Sequence, residues 1–562
     1  MTVAVLTWSA FILVLGVSLS AARPRVYSAP SELRAASPAT RPWWHGAAIS
    51  SEFTSVACLG MTGLVATRGG PELWLPAGVA GGLVVVLALV VAPLRRSRTY
   101  TLSDFLEWRL GSAPVRCLTT MLVLVVGMAF LVAQMQAAGA VVRLLTGVPA
   151  WTGWLAVASA ATVVALTGGT GSVTSAQATQ FWLKLAVFLG IGLVLLAGVW
   201  WHGGPTGPPG AAGLGEGAFG AVGLGGHGSG HGSGHGSGHG SGHGSGHGGG
   251  VGSGGSGSEG LGPEGSGDLE GFADVEGDVS VSGTLALLLA CALGTMGLPH
   301  VIVRLYVNRD GRAARRSLVA AQALLALFCV LPPLYGLLGG PYGLGGGPPA
   351  GGVLLLPARA LPGAVGDLLT GLLAAGAFAA FLATACGVLV GVGGALTGCI
   401  ARSLGACSFR AVVACVALAA VGLTAVAGPG GSVPLVLFGF CLSAATLGPL
   451  LLLGIWWRRL TDVGVAAGYV VGAGMTGVLT ASEQVGVNLG ALSAHPAPVA
   501  MAAAFAAMVA ISLVTPGRVP PGVGRMMARM HLPEAPESPR SDRSALRENR
   551  SASVRAPYSD DY

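Results

Sequence analysis

The apolar stretch that begins near residue 47 contains groups that can bind a cation. Four hydroxyl side chains and one carboxylate occur there: Ser50, Ser51, Glu52, Thr54 and Ser55. Such groups are costly inside a bilayer unless they line a cavity or face other protein groups, and their oxygens are ligands for hard cations. Alternatively, the run begins a cytoplasmic helix, with Ser51 as N-cap and Glu52 in the first turn. The apolar residues before it are too few to span a membrane alone, which favours the binding interpretation.

A second interruption lies in a later apolar stretch. Residues 294–300 read Gly-Thr-Met-Gly-Leu-Pro-His. The proline removes a backbone donor and kinks a helix, and the two glycines allow close backbone approach. In many secondary transporters, substrate and ion bind near mid-membrane at two such broken helices, where freed carbonyls bind the cation. The two interruptions therefore predict a transport site between two membrane helices.

The composition is that of a membrane protein. Hydrophobic residues make up 52% of the 562 residues and charged residues only 9%, whereas soluble chains carry about a quarter charged residues. The net charge of +7 comes from arginines in short clusters between apolar runs, which is typical of topology signals and not of nucleic-acid binding. The single lysine, Lys184, is not in a phosphate-binding loop, and no H-E-x-x-H occurs. An ATP-driven pump and a zincin protease are thereby excluded, and no enzyme activity is expected.

The apolar runs predict an all-α polytopic membrane protein with about thirteen transmembrane helices, since one crossing needs about 20 residues. We number them spans 1 to 13, at 3–20, 47–67, 73–94, 117–143, 150–167, 178–201, 281–306, 318–338, 364–400, 411–428, 433–457, 463–482 and 498–515. Span 9 is long enough to include a leading external helix. The nine cysteines form no C-x-x-C pair, so we interpret them as small buried hydrophobic residues and not as a disulfide framework or zinc site.

The arginines predict the orientation of the chain. Met1–Leu6 carries no basic side chain, so span 1 is expected to be retained and not cleaved as a signal peptide. Arginines follow span 1, and positive charge marks the cytoplasmic side. With alternating spans, every arginine except Arg68, Arg143 and Arg359 then falls on the inner side. We therefore expect the N-terminus outside and the C-terminus in the cytoplasm.

Two segments differ from the rest of the chain. Residues 202–280 form a predicted external loop without Lys or Arg, in which a His-Gly-Ser-Gly repeat contains His227, His231, His235, His239, His243 and His247. The repeat is either a metal-binding tract or a flexible spacer, and we favour the spacer because a glycine-rich chain has no preorganised ligand geometry. Residues 516–562, rich in Pro, Ser, Arg and Glu, are predicted to be a disordered cytoplasmic tail.

An ordered set of short motifs resembles the sodium/solute symporter family, and within it the acetate-permease-like branch of cation/acetate symporters. The matching segments are 44–53, 100–105, 114–116, 130–135, 168–177, 294–304, 313–317 and 376–383. The resemblance covers about residues 1–515 except the His-rich loop. It implies a five-plus-five inverted-repeat core of the leucine-transporter type. The implied division is a first span with its inner loop (1–46), repeats at 47–201 and 281–457, and two further spans (458–515).

The resemblance also implies a sodium site. The family's site combines carbonyls of broken span 2 with a carbonyl and two adjacent hydroxyls of span 9. Carried over, the carbonyls are those of Ser50, Phe53 and Ala380, and the hydroxyl positions are Ala383 and Thr384. Only Thr384 keeps a hydroxyl, and a hard cation needs oxygen ligands. Water or another group therefore completes the shell, or the coupling ion is a proton. Glu52 is either the compensating ligand or the proton carrier.

Side chains at the two breaks and in neighbouring spans are the candidates for binding the substrate: Thr54, Gln134, Thr295 and Met296. Gln134 either faces a cavity or makes a helix–helix hydrogen bond, and Gln177 has the same two interpretations. Lys184 either extends to the inner membrane interface or binds the substrate's carboxylate; the interface is favoured.

The function implied by the resemblance is cation-coupled import of a short monocarboxylate such as acetate, with sodium as the favoured ion and a proton as the alternative. Alternating access would carry both across a bacterial cell membrane. A transporter-like solute sensor and a passive channel stay open as competing functions. Besides the solute, the coupling ion and the bilayer, we expect no cofactor, no nucleic acid and no obligate protein partner.

Overall fold

A computed structural model describes residues 2–22, 41–55, 75–202, 281–308, 310–339, 352–400, 405–428, 431–485 and 496–532. The secondary structure of these residues is all helical. The helices of the first half are α1 (Thr2–Ala21), α2 (Pro42–Phe53), α3 (Leu75–Val85), α4 (Val91–Arg96), α5 (Leu102–Leu110), α6 (Ala113–Thr146) and α7 (Trp151–His202). A π-helical segment, Val86–Val90, joins α3 to α4.

The second half begins with a bent pair of helices. Its helices are α8 (Val281–Gly297), α9 (Pro299–Tyr306), α10 (Gly311–Cys329), α11 (Leu331–Gly339), α12 (Leu356–Ala360), α13 (Ala364–Ile400), α14 (Gly405–Ala427), α15 (Ser432–Ala445), α16 (Leu447–Trp456), α17 (Asp462–Gln484), α18 (Pro496–Val514) and α19 (Val523–His531). Short 3₁₀ segments precede α12 and α19, at Gly352–Leu355 and Pro516–Arg518.

The predicted spans correspond to helices wherever the chain is described. Ten helices in the described part of the chain are long and apolar enough to cross a membrane, and the bent pair α8–α9 makes eleven. Predicted span 5 falls on a shorter apolar helix, Trp151–Thr167. Span 2 begins at Pro42, five residues earlier than predicted, and its second half lies outside the described residues.

Three boundaries differ from the prediction. Spans 5 and 6 both lie in the helical element α7, where they correspond to the apolar segments Trp151–Thr167 and Gly171–Trp200. The external helix expected at the start of span 9 is instead the separate α12, and α13 alone fills residues 364–400. The expected tail disorder is wrong for residues 516–532, which include α19; Met527 and Met530 bury one apolar face of this helix.

The helix contacts repeat with the symmetry of two inverted repeats, α2–α7 and α8–α16. Helix α2 packs against α10, and its counterpart α8 packs correspondingly against α3. Likewise α2 packs against α7, and α8 packs against α15. Glycines permit the contacts of α2 with α10 and of α8 with α3. A Cβ at Gly46 would lie 2.8 Å from Ala320 Cβ, and one at Gly78 would lie 3.0 Å from Cys291 Cβ.

Helix α13 occupies the centre of the molecule. Its most apolar 18-residue window is entirely buried, and it packs against α1, α6, α7 and α14. Its sequence is rich in Gly and Ala, which lets neighbouring backbones approach closely. A Cβ at Gly127 of α6, for example, would lie 3.2 Å from Val388 Cγ1 of α13. Residues of α13 therefore meet several helices at once.

Arginines join the loops and helix ends at one end of the bundle. Arg95 Nε donates to Asn308 O, and Arg96 Nη1 donates to Met530 O at 3.1 Å. Buried Arg109 donates to Gly454 O and Trp457 O, both at 3.0 Å. The predicted inner segments of spans 3, 7, 11 and the tail thus share one end of the bundle, as alternating spans require. That this end is cytoplasmic stays a prediction.

The cysteines follow the prediction in part. Seven of the nine cysteines are free thiols in the described part of the chain, and Cys291 and Cys386 are buried. Cys117 and Cys415 are exposed, contrary to the expectation of burial. The Cys117 and Cys399 sulfurs nevertheless lie 3.0 Å apart.

Candidate functional site

The first helix break is the C-terminus of α2. The helix ends at Phe53, and Thr54 has a non-helical backbone with φ −102° and ψ 53°. The last four carbonyls of a helix lack intrahelical partners. Ser50 O accepts a hydrogen bond from Thr54 Oγ1 at 3.1 Å, which leaves the neighbouring carbonyls to groups on other helices. The break therefore presents backbone oxygens inside the protein.

Lys184 of α7 is one of the groups that meet these oxygens. Its Nζ lies 3.2 Å from Ser51 O, 3.1 Å from Ser51 Oγ and 3.1 Å from Thr54 O. The side chain is fully buried, and the rings of Phe181 and Phe328 lie within 6 Å of the ammonium. The expectation that Lys184 extends to the membrane interface is therefore wrong, because the end of α2 supplies three oxygen acceptors within hydrogen-bond distance of its ammonium.

Thr384 of α13 approaches the same break. Its Oγ1 lies 3.5 Å from Ser51 O and 3.3 Å from Glu52 O. Thr384 thus lies against the end of α2, where it faces the carbonyls of Ser51 and Glu52 and not those of the predicted Ser50 and Phe53; its role as a sodium ligand stays a prediction. The predicted ligand Ser50 directs its own hydroxyl to Ala321 O of α10 at 2.8 Å.

The other predicted cation ligands take different positions. Ala383 O accepts a hydrogen bond from Gln177 Nε2 at 2.7 Å, and its methyl group is buried. Ala380 of α13 and Phe53 of α2 are buried. Of the predicted ligands on α13, Thr384 is thus the one whose side chain contacts the carbonyls of α2.

The carboxylate of Glu52 faces away from the carbonyls of its own helix. Its Oε1 accepts a hydrogen bond from Gln177 Nε2 at 2.6 Å and lies 3.5 Å from Arg304 Nε. Arg304 Nη1 also donates to Thr174 Oγ1 at 3.0 Å. Glu52 and Arg304 are both buried, so each is the counter-ion of the other. This ion pair joins the first repeat to the second.

From the sequence, Arg304 was interpreted as a topology signal, and its buried ion pair with Glu52 was not predicted. Arg304 follows the proline of the second break by five residues, within the apolar run Val301-Ile302-Val303. A basic residue inside such a run is expected to have a buried partner. The position of Arg304 in the sequence was therefore a signal for a buried acidic partner.

The second helix break lies between α8 and α9, which bend by 43° at Leu298. Ser443 Oγ of α15 donates to Gly294 O at 2.8 Å, and a Cβ at Gly297 would lie 2.6 Å from the same hydroxyl. The two glycines therefore allow α15 to approach the broken helix. The predicted proline kink is present at the predicted residue.

Two of the predicted substrate residues serve this packing. Thr295 Oγ1 donates to Cys291 O within α8 at 2.6 Å. Met296 is fully buried, with its Cε 3.3 Å from a Cβ placed on Gly448. Thr54 is similarly engaged, with the carbonyl of Ser50. The substrate roles of these three side chains stay predictions.

Gln134 and His300 carry buried polar atoms that no neighbour satisfies. Neither amide atom of Gln134 and neither ring nitrogen of His300 has a hydrogen-bond partner in the described part of the chain. The His300 ring lies 4.9 Å from the ring of Phe130, which precedes Gln134 by one helical turn. Since buried polar groups are nearly always paired, these atoms are available to a bound solute. Sequence reasoning identified Gln134 and missed His300.

A metal centre is absent from the described residues, where no group of three or more His, Cys, Asp or Glu side chains is placed to hold an ion. The six histidines of the repeat lie outside the described residues. The choice between metal tract and spacer stays a prediction.

Comparison with solved structures identifies proteins with a similar fold. The chain is similar to a Na⁺-coupled sialic acid symporter in a substrate-bound outward-open state, with a TM-score of 0.62, 12% identity, and coverage of 92% of this chain and 98% of the other. It is also similar to a nucleobase-cation-symport-1 family transporter in a closed conformation with bromovinylhydantoin bound, with a TM-score of 0.52, 11% identity, and coverage of 90% and 99%. Both have the leucine-transporter fold, which confirms the predicted inverted-repeat architecture.

Sequence comparison finds bacterial relatives. An uncharacterized symporter of Bacillus subtilis is 24% identical over 288 residues, which are 51% of this chain and 46% of the relative. An uncharacterized symporter of Cupriavidus necator is 28% identical, over 42% of this chain and 43% of the relative. The chain thus aligns with somewhat less than half the length of these curated relatives.

A family model matches most of the region that contains both repeats. The model described as the sodium:solute symporter family matches residues 39–202 and 276–472. These ranges include both broken helices, α13, and the residues Glu52, Lys184 and Arg304. The chain belongs to the sodium:solute symporter family.

Proposed function

We propose that the protein is a cation-coupled secondary symporter that imports a short monocarboxylate, such as acetate, by alternating access. Family membership, the end of α2 at Phe53 and the bend between α8 and α9 support the transport mechanism. In this fold class, ion and substrate bind together at the breaks, and one repeat unit then moves against the rest to open the opposite side.

The observation that carries the proposal is the set of unsatisfied polar atoms on Gln134 and His300. Glutamine offers an amide donor and a carbonyl acceptor, and histidine offers one donor and one acceptor when neutral. Each of these two donors can bond to a carboxylate oxygen, and Phe130, whose ring lies 4.9 Å from that of His300, is one helical turn from Gln134. The ring of Phe130 beside His300 supplies an apolar wall suited to a short alkyl group.

The buried charges favour an anionic solute. Around the break of α2, Lys184 and Arg304 are basic and Glu52 is acidic. The described residues named at this break thus include two basic groups and one acidic group. A fixed charge inside a membrane protein favours a mobile charge of the opposite sign, and a monoanion meets that requirement.

The proposal is tested by uptake into liposomes that contain the purified protein. Labelled acetate is offered with an inward sodium gradient, an inward proton gradient or neither, with the potential clamped by potassium and valinomycin. A symporter concentrates acetate above the external level under a cation gradient. Equilibration without concentration would identify a channel, and binding without uptake would identify a sensor.

The same vesicles give the charge stoichiometry. One cation with one monoanion moves no net charge, so the rate should not depend on the clamped potential. A second cation would add about 2.3 kcal/mol of driving force per 100 mV, and uptake would then rise with an inside-negative potential. Other short monocarboxylates, used as competitors, rank the substrates.

A further inference from the structure

The Lys184 ammonium lies at the place where a transported cation would bind. Three oxygens from the break of α2 surround its Nζ at 3.1–3.2 Å: Ser51 O, Ser51 Oγ and Thr54 O. Ser51 O also faces Thr384 Oγ1 of α13 at 3.5 Å. The ammonium and the Thr384 hydroxyl therefore converge on one carbonyl oxygen, between the two helices that would hold the ion.

The oxygen ligands available to a free ion are reduced at the same place. Position 383 carries a methyl group beside Thr384, and its backbone carbonyl is taken by Gln177. A hard monovalent cation needs several oxygens, and each oxygen bound to the ammonium is one fewer for sodium. The methyl group at position 383 and the ammonium of Lys184 are independent observations, and both reduce the number of oxygens available to sodium.

The surroundings keep the ammonium in place. Lys184 is fully buried, and its ammonium lies 5.7 Å from the ring centroid of Phe181 and 5.9 Å from that of Phe328. Long side chains of this type reach a polar target along an apolar path. A second monovalent cation at the same carbonyls would be repelled by the fixed charge at close range.

We infer that Lys184 is a built-in cation that replaces sodium at the junction of α2 and α13, so that sodium is not the coupling ion of this symporter. The inference rests on the proposed transport function and narrows it. Accumulation is then expected to follow an imposed proton gradient. Replacing sodium by choline should leave the uptake rate unchanged.

The decisive experiment restores a sodium site. The double variant Lys184→Met with Ala383→Ser removes the ammonium and returns a hydroxyl next to Thr384. We expect its uptake to become sodium-dependent by at least about fivefold, the lower end of usual coupling between two ligands. Lys184→Arg with Ala383→Ser is the matched control, because it returns the hydroxyl but keeps a charge, and it should stay indifferent to sodium.

Binding of sodium alone gives a readout that needs no substrate. The melting temperature of the purified protein is measured in sodium chloride and in choline chloride at equal ionic strength. The wild-type value should be the same in both salts, and that of the double variant should rise in sodium, since a ligand that binds only the folded state stabilises it.

The outcomes separate this inference from the proposed function. A wild-type protein that is stabilised by sodium, or that loses uptake without it, would overturn the inference and leave the symporter intact. A folded double variant that ignores sodium would overturn it as well. If the double variant does not fold, the wild-type melting comparison decides alone. Failure of the wild type to accumulate any monocarboxylate would instead refute the proposed function.

Discussion

Gly387 of α13 lies directly against the carboxyl group of Glu52, so closely that a Cβ at Gly387 would be 2.5 Å from Glu52 Cδ. The glycine makes room for the buried ion pair of Glu52 with Arg304. Because both partners are fixed by other contacts, a methyl group there forces the carboxylate away from its donors.

The first prediction concerns this glycine. Gly387→Ala should cost about 1–3 kcal/mol, the usual penalty for overpacking, and should lower both the melting temperature and the uptake rate. Gly190→Ala on α7 is the matched control, since nothing lies within 4 Å of its added Cβ. Thermal unfolding in detergent compares the two variants. Equal melting temperatures would show that Glu52 can move aside.

The second prediction concerns the ion pair itself. Arg304→Met leaves Glu52 as a buried charge without its guanidinium, which usually costs about 3–5 kcal/mol. Adding Glu52→Gln removes that charge, so the double variant should be more stable than Arg304→Met alone. A double-mutant cycle of unfolding free energies measures the coupling. Strictly additive effects would mean that the two side chains do not interact.

The third prediction separates solute binding from packing at Gln134. Since its amide has no hydrogen-bond partner in the described residues, Gln134→Leu should keep the melting temperature. Loss of a hydrogen bond to a charged solute, worth about 1.5–3 kcal/mol, should raise KM by about ten- to a hundredfold.

Gln136 on the same helix is the control for this prediction. Its Nε2 donates to Gly428 O at 3.0 Å, so Gln136→Leu should lower the melting temperature and leave KM unchanged. A stable Gln134→Leu variant with the wild-type KM would remove Gln134 from the solute site.

The fourth prediction concerns the free thiols of Cys117 and Cys399, 3.0 Å apart at the ends of α6 and α13. Mild oxidation should join them, because disulfides form between sulfurs so placed. These two helices pack along one another and are expected to move as one body, so uptake should survive the cross-link. Mass tagging with maleimide counts the thiols that oxidation removes. In the control variant Cys117→Ser, oxidation should remove none. A cross-link that stops uptake would show that α6 and α13 move relative to each other.

Local signals in the sequence predicted much of the fold. Pro299 and its flanking glycines located the break between α8 and α9, because proline acts on its own helix. The run from 364 to 400 matched α13 at both ends, since apolar length depends on neighbouring residues alone. Alternating spans placed the arginine loops at one end of the bundle.

Long-range pairing was the part that sequence patterns could not supply. Lys184 meets the break of α2 across 130 or more residues of chain, and Arg304 meets Glu52 from the other repeat. The spacing of residues along one helix does not encode contacts between helices that are far apart in the chain. The tail helix α19 was missed for a similar reason: its polar composition resembles disorder until Trp456 and the end of α4 supply its packing surface.

The buried apolar centre of α13 bears on how the protein is made. Its mean hydropathy of 2.2 lets it enter the lipid unaided, yet in the finished molecule it has almost no contact with lipid. It must therefore exchange lipid neighbours for protein ones after insertion. Helices α1, α6 and α7, which contact most of its surface, leave the ribosome earlier. The helices that surround α13 are therefore synthesised before α13 itself.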